Sequence, residues 1–265
     1  MVRLSFLVGV FSFIVLGVSF AEPKTDRLLK SDHFVINYHE NVEYSYVSEV
    51  KDICEKYYRV ITQEFRLVRD EAWLWANRAK IFIAKDKEEY SSKFRCPIWA
   101  TACVNYQDKV IYTYPDQENF AAILIHELTH IIFREYVGLG KFPLWLDEAV
   151  SLYMEDKYSD DSRPRRDFTL IERAIAENSY IKLTDLNKVT ALTLGSQPKD
   201  YVNLFYSEAF SIVYFIIKKY SQDNLYRLMY FLRRGYDCED AVSKAVYSIR
   251  GWEDFETKWK RFYQE

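Results

Sequence analysis

The stretch FAAILIHELTHIIFREY, residues 120–136, constrains this chain more than any other. It is apolar almost all the way round, and a helix of that kind is buried. Yet His126, Glu127 and His130 stand in its middle, and buried ionisable groups are costly unless something satisfies them. Positions i and i+4 of a helix lie one turn apart on the same face. The two imidazoles can therefore converge on one ion, with Glu127 beside it.

The HExxH spacing is that of a zinc site in which two histidines bind and the intervening glutamate acts as general base. Such a site needs a third protein ligand and an open fourth position. A histidine six residues on would serve, but that place holds Tyr136. His33 and His39 lie far upstream and read as ordinary residues in and beside a strand. The third ligand is therefore expected to be a carboxylate from PLWLDEAVS (143–151), where Asp147 and Glu148 both stand.

Other features bound the reading. The chain opens with Arg3, an apolar run and Ser19-Phe20-Ala21, the pattern of a secretory signal peptide cut after Ala21. An uncleaved anchor is the competing reading, although the run is slightly short for a spanning helix. Export to the periplasm or beyond follows, with no stable membrane span after cleavage. The net charge of −3 gives no footprint for nucleic acid. Of four cysteines, Cys96 and Cys103 are close enough to staple a loop in an oxidising compartment, with buried free thiols as the alternative.

Periodicity predicts strands over 33–39 and 79–84 and two strand pieces within 101–114. It predicts helices over 47–68, 87–94, 118–136 (capped by Asp116) and 143–158, with the charged loop 159–167 after them. From Phe168 onward the pattern is helical throughout. Strands early and helices late make an α+β order. The expected division is a leader (1–21), an α/β sub-domain carrying the active-site helix (22–137) and a helical sub-domain (138–265).

HELTH followed by WLDEA resembles the gluzincins, zinc peptidases with a His-His-Glu site, and among them the peptidase MA-like domains. The resemblance implies a thermolysin-type zincin fold, with a small mixed sheet before the active-site helix. It also implies one zinc per chain on His126, His130 and Glu148, Glu127 as base, and a tyrosine from the helical half opposite the metal. Tyr206 is the candidate for that tyrosine, with Tyr201 and Tyr214 as competitors. Glu155 is a candidate to orient a ligand histidine, with an ordinary surface glutamate as the alternative reading. The edge for substrate is expected at 101–106, although an interior strand is equally open there. No Gly-x-Met-Glu-Asn signature stands upstream of the motif, which argues against an aminopeptidase and for an endopeptidase on peptide or protein substrates. The competing readings are a non-catalytic zinc module that holds a partner and a zinc hydrolase of a non-peptide bond.

Overall fold

The computed structural model describes residues 27–265 apart from 68–71, 95, 97–101, 116–119, 141 and 159–165. The expected leader, the Asp116 cap and most of the charged loop lie outside the described residues.

Five strands form one mixed sheet in the order β1-β2-β3-β5-β4. They are β1 (Arg27–Lys30), β2 (Phe34–Tyr38), β3 (Ala79–Ile83), β4 (Cys103–Asn105) and β5 (Val110–Thr113). The central strands β2, β3 and β5 run parallel, while β1 and β4 pair antiparallel at the two edges. β1 lies ahead of the first strand that periodicity predicts, and so adds to the sequence reading. Its side chains are mostly exposed, so it carries no apolar alternation, and its pairing with β2 makes it a strand.

β3 and β5 are covered on both faces. Ile81, Ile83 and Ile111 join the main core, whereas Phe82, Val110 and Tyr112 meet Tyr90 and Phe94 of α2 (Lys87–Phe94) in a smaller one. Alternation along each strand divides the residues this way. On the main-core side lie α1 (Tyr44–Glu64) and α3 (Phe120–Val137).

α3 ends where Gly138, at φ 97°, donates its N–H to the Arg134 carbonyl, a left-handed cap that glycine adopts without steric cost. α4 (Leu144–Tyr158) restarts directly after Pro143, whose fixed φ suits a helix start. α5 (Thr169–Ala176) follows, then two short helices that the sequence reading did not separate, α6 (Leu183–Leu186) and α7 (Ala191–Gly195). The long α8 (Lys199–Phe215) runs on as a π-helical turn over Ile216–Tyr220. The chain ends in α9 (Gln222–Arg233), α10 (Cys238–Ala245) and α11 (Gly251–Phe262).

α3, α4 and α8 pack side by side, and Leu128, Ile132, Trp145, Ala149, Phe205 and Ala209 are at most marginally exposed there. One continuous core runs from Phe34 on β2 to Trp259 on α11. No described helix is long and apolar enough to cross a membrane. Cys96 and Cys103 stand as free thiols rather than a bridge. The Cys96 thiol lies against that of Cys103, and burial first, then this neighbour, pushes its pKa up.

Candidate metal centre

α3 and α4 bring His126, His130 and Glu148 together, all buried. The two Nε2 atoms face each other at 3.1 Å, and Glu148 Oε2 stands 3.8 Å from His126 Nε2 and 3.6 Å from His130 Nε2. Tetrahedral zinc with bonds of about 2.0–2.1 Å spaces its ligands about 3.3 Å apart, so these separations suit one ion.

The far side of each ring explains why the near side wants a cation. His126 Nδ1 lies 3.1 Å from Glu155 Oε2, and His130 Nδ1 lies 2.9 Å from Asp147 Oδ1. A carboxylate accepts only, so each Nδ1 carries a proton and each Nε2 faces inward, where a proton or a metal can bind it. Two Nε2 atoms and a carboxylate oxygen then converge on one dry point. Glu148 Oε2 and Glu127 Oε2 are buried and find no hydrogen-bond partner among the described residues, an expense that an ion and its water would relieve.

Charge points the same way. Around the rings stand four carboxylates, Glu127, Asp147, Glu148 and Glu155, against two guanidiniums, Arg134 and Arg166. A divalent cation would make up the difference. Burial pulls the His130 pKa down, but Asp147 and Glu148 outweigh it and push it up to about 10. The pocket draws positive charge, whether a proton or a metal supplies it.

The supporting residues are fixed by packing. Asp147 is held from two sides, by His130 and by Arg134, whose Nε (2.8 Å) and Nη2 both donate to Oδ2. Burial alone would raise its pKa, but His130 and Arg134 hold it at about 2. The Arg134 guanidinium lies 3.6 Å from the centroid of the Tyr106 ring. Arg166 Nη2 reaches Glu155 at 3.4 Å. Burial raises the Glu127 pKa, with the two histidines pulling against it. A carboxyl raised from its usual range is better matched to accepting a proton near neutrality.

Tyr206 on α8 is close enough that, after burial, the charges of Glu148, Glu127 and Asp147 raise its phenol pKa well above the ordinary value. Its competitors sit elsewhere. Tyr201 lines a small surface hollow with Asp185 and Gln197, and Tyr214 packs against Phe168 and Phe210. His33 and His39 are engaged locally, His33 with Glu55 at 2.7 Å and His39 with the Asn41 amide.

Asp147, which entered only as an alternative ligand, stands behind His130 instead of facing the other ligand atoms. Arg134, Arg166 and Tyr106 were not singled out from sequence. Arg134 had a signal, because it extends the stripe of His126 and His130 by one more i+4 step.

A mixed α+β scaffold with two histidines of one helix and a glutamate of the next around a buried point defines a candidate metallohydrolase. Residues 80–265 match the Peptidase MA superfamily family, and the chain belongs to it. The match takes in both HELTH and WLDEA, and membership points to a metallopeptidase-type function. No curated protein matches the chain.

Proposed function

We propose that the protein is an exported zinc-dependent peptidase of the gluzincin type, built on a thermolysin-type scaffold and acting as an endopeptidase. The observation that carries this reading is the pair of inward-facing imidazole nitrogens at 3.1 Å with Glu148 Oε2 alongside. His126, His130 and Glu148 would hold the ion. The chemistry a bound zinc supplies is Lewis acidity, which brings the pKa of water from about 15.7 to about 7.

The chain's own groups do the rest. Glu127, beside the ligands but not one of them, accepts the proton of the attacking water and returns it to the leaving amine. Asp147 and Glu155 fix the tautomer and tilt of the two rings. Tyr206 donates its phenol hydrogen to the carbonyl oxygen as negative charge develops there. β4 lies at the edge of the sheet with one side unpaired among the described residues, and an extended peptide can add to such an edge by main-chain hydrogen bonds.

Glu127→Gln tests the reading. It keeps side-chain size and loses the base, so zinc content should hold near one per chain. Cleavage of a mixed peptide library should fall on the order of 100-fold or more. Survival of activity in that variant would assign the base elsewhere. Export is checked separately, by mass spectrometry of protein from its native host: the mature N-terminus is expected at Glu22.

A further inference from the structure

The face of the sheet covered by α2 carries the smaller core, and two thiols meet in it. Cys96, just beyond the end of α2, is 2% exposed. Cys103, the first residue of β4, is half-buried and packs against the same cluster. Alternation along β4 points Cys103 to this side and Val104 to the main core. Three residue pairs to β5 hold β4 in the sheet. Burial first, then Cys96, Cys103 and Glu127, push the Tyr90 phenol pKa up, so one ring lies within electrostatic reach of both thiols and of the candidate base. The other two cysteines, Cys54 on α1 and Cys238 on α10, are buried in the main core.

We propose that Cys96 and Cys103 are a redox pair that closes to a disulfide in an oxidising compartment and locks the start of β4 to the end of α2. The structure holds the pair in its reduced form. The oxidant, by class, is a low-molecular-weight disulfide. Cys103 loses its proton and attacks one sulfur of it; the oxidant's S–S bond breaks and one thiolate leaves. Cys96 then gives up its proton and attacks the Cys103 sulfur of the mixed disulfide, expelling the second thiolate. Two protein thiols are oxidised by two electrons, and the small disulfide is reduced to two thiols that take up the two protons. Access sets the order. Burial, helped by the neighbouring Cys103, keeps Cys96 protonated, so the half-buried Cys103 is the point of entry. The consequence falls on β4. A three-residue strand at a sheet edge is short, and a covalent tie at its first residue holds Cys103 opposite Tyr112. The lock itself does not depend on the peptidase reading; its effect on substrate does, because β4 is the edge assigned to the peptide.

The test treats the purified protein and Cys103→Ser with oxidised glutathione or with a phosphine reductant. The oxidised native protein should lose the mass of two hydrogen atoms. Digestion without reduction should join the peptides of Cys96 and Cys103, while Cys54 and Cys238 stay open to alkylation after unfolding. The bridged form should melt about 5 °C or more above the reduced form. Amide exchange at Val104 and Asn105 should slow roughly tenfold, and Cys103→Ser should show neither shift. Four free thiols after oxidation, glutathione retained on Cys103 with no bond to Cys96, or a bridge that leaves β4 exchange unchanged would overturn the proposal. On peptides, bridging should lower KM roughly threefold or more with kcat held, since it orders the binding edge and not the reacting groups. An unchanged KM in a bridged protein with a protected β4 would leave the lock standing and remove β4 as the substrate edge.

Discussion

Asp147 on α4 and Glu208 on α8 are both fully buried carboxyls, yet they sit at opposite ends of the pKa range. Asp147 faces His130 and Arg134, which outweigh burial and hold it at about 2. Glu208 accepts one hydrogen bond, from the Ile181 amide at 3.0 Å, and its Oε1 finds no partner among the described residues. Burial, helped by the charge of Glu256, pushes it up to about 8. Burial sets the same cost for both; the number of charged partners decides whether the proton stays. The region between α3 and α4 is built to keep charge in a dry place, whereas the apolar interior around α8 neutralises it. Perturbed groups cluster at functional sites, and here the charged cluster, not the neutralised acid, marks the candidate centre.

The largest effect should come from removing one wall of the charged region. His126→Ala leaves Glu148 and Glu155 buried against an incomplete partner set and deprives the ion of a ligand. Zinc should fall from one per chain to nearly none, and the melting temperature should drop with it because metal binding is coupled to folding. Metal analysis and a thermal melt check both, and full zinc occupancy in the variant would remove His126 from the ligand set.

Tyr206 sharpens the comparison from the α8 side, since it is a residue of that helix close to the charged centre. Its donor bonds more strongly to a developing oxyanion than to a carbonyl. Tyr206→Phe should lower kcat by roughly 10²–10³, with KM, zinc content and stability little changed. Lost stability with kcat intact would make Tyr206 a packing residue.

The contrast between Asp147 and Glu208 also explains which parts of the molecule were legible in the sequence. His126, Glu127 and His130 stood out because helical spacing alone brings a four-residue repeat to one face, whereas the choice of Glu148 over Asp147 came from the resemblance of WLDEA. β2, β3 and β5 and the long helices followed from periodicity for the same local reason. What stayed hidden depends on tertiary pairing. β1 is a strand only because β2 offers it hydrogen bonds. Arg166 meets Glu155 from eleven residues further along the chain, a pairing that no local pattern announces. Whether 101–106 was an edge or an interior strand could not be read locally, because the order of β3, β5 and β4 decides it. Glu155 could be either surface or support until α4 was docked, and docking buries it against His126.

The two supporting acids give a smaller, graded test. Losing a carboxylate behind a ligand histidine typically costs about 10–100-fold in metal affinity. Asp147→Asn should lie at the upper end, because Asp147 is fully buried and its loss also strands the Arg134 guanidinium. Glu155→Gln should lie at the lower end, since Arg166, on a partly exposed segment, can turn to water. Competition with a chelator of known zinc affinity measures both, and a larger loss at Glu155 would reverse the ranking of the two rings.

The last test belongs to Glu208, and its sign is specific. A free glutamate titrates near 4.5, whereas this one is held up to about 8. Between those values the folded protein binds a proton that the unfolded chain has released, so stability contributed by this group falls as pH rises. It is fully present below about pH 4.5 and lost by the time pH passes about 8. Glu208→Gln keeps an oxygen for the Ile181 amide and cannot ionise, so it removes that slope. Melting curves of the two proteins should nearly coincide in mild acid and separate with rising pH, the Gln variant melting higher at and above pH 8. Every other titrating group is common to both proteins and cancels in the difference. Parallel curves across the whole range would mean that Glu208 is charged in the folded protein. A counter-charge or water would then reach its Oε1, and the apolar helical half would hold a charge after all.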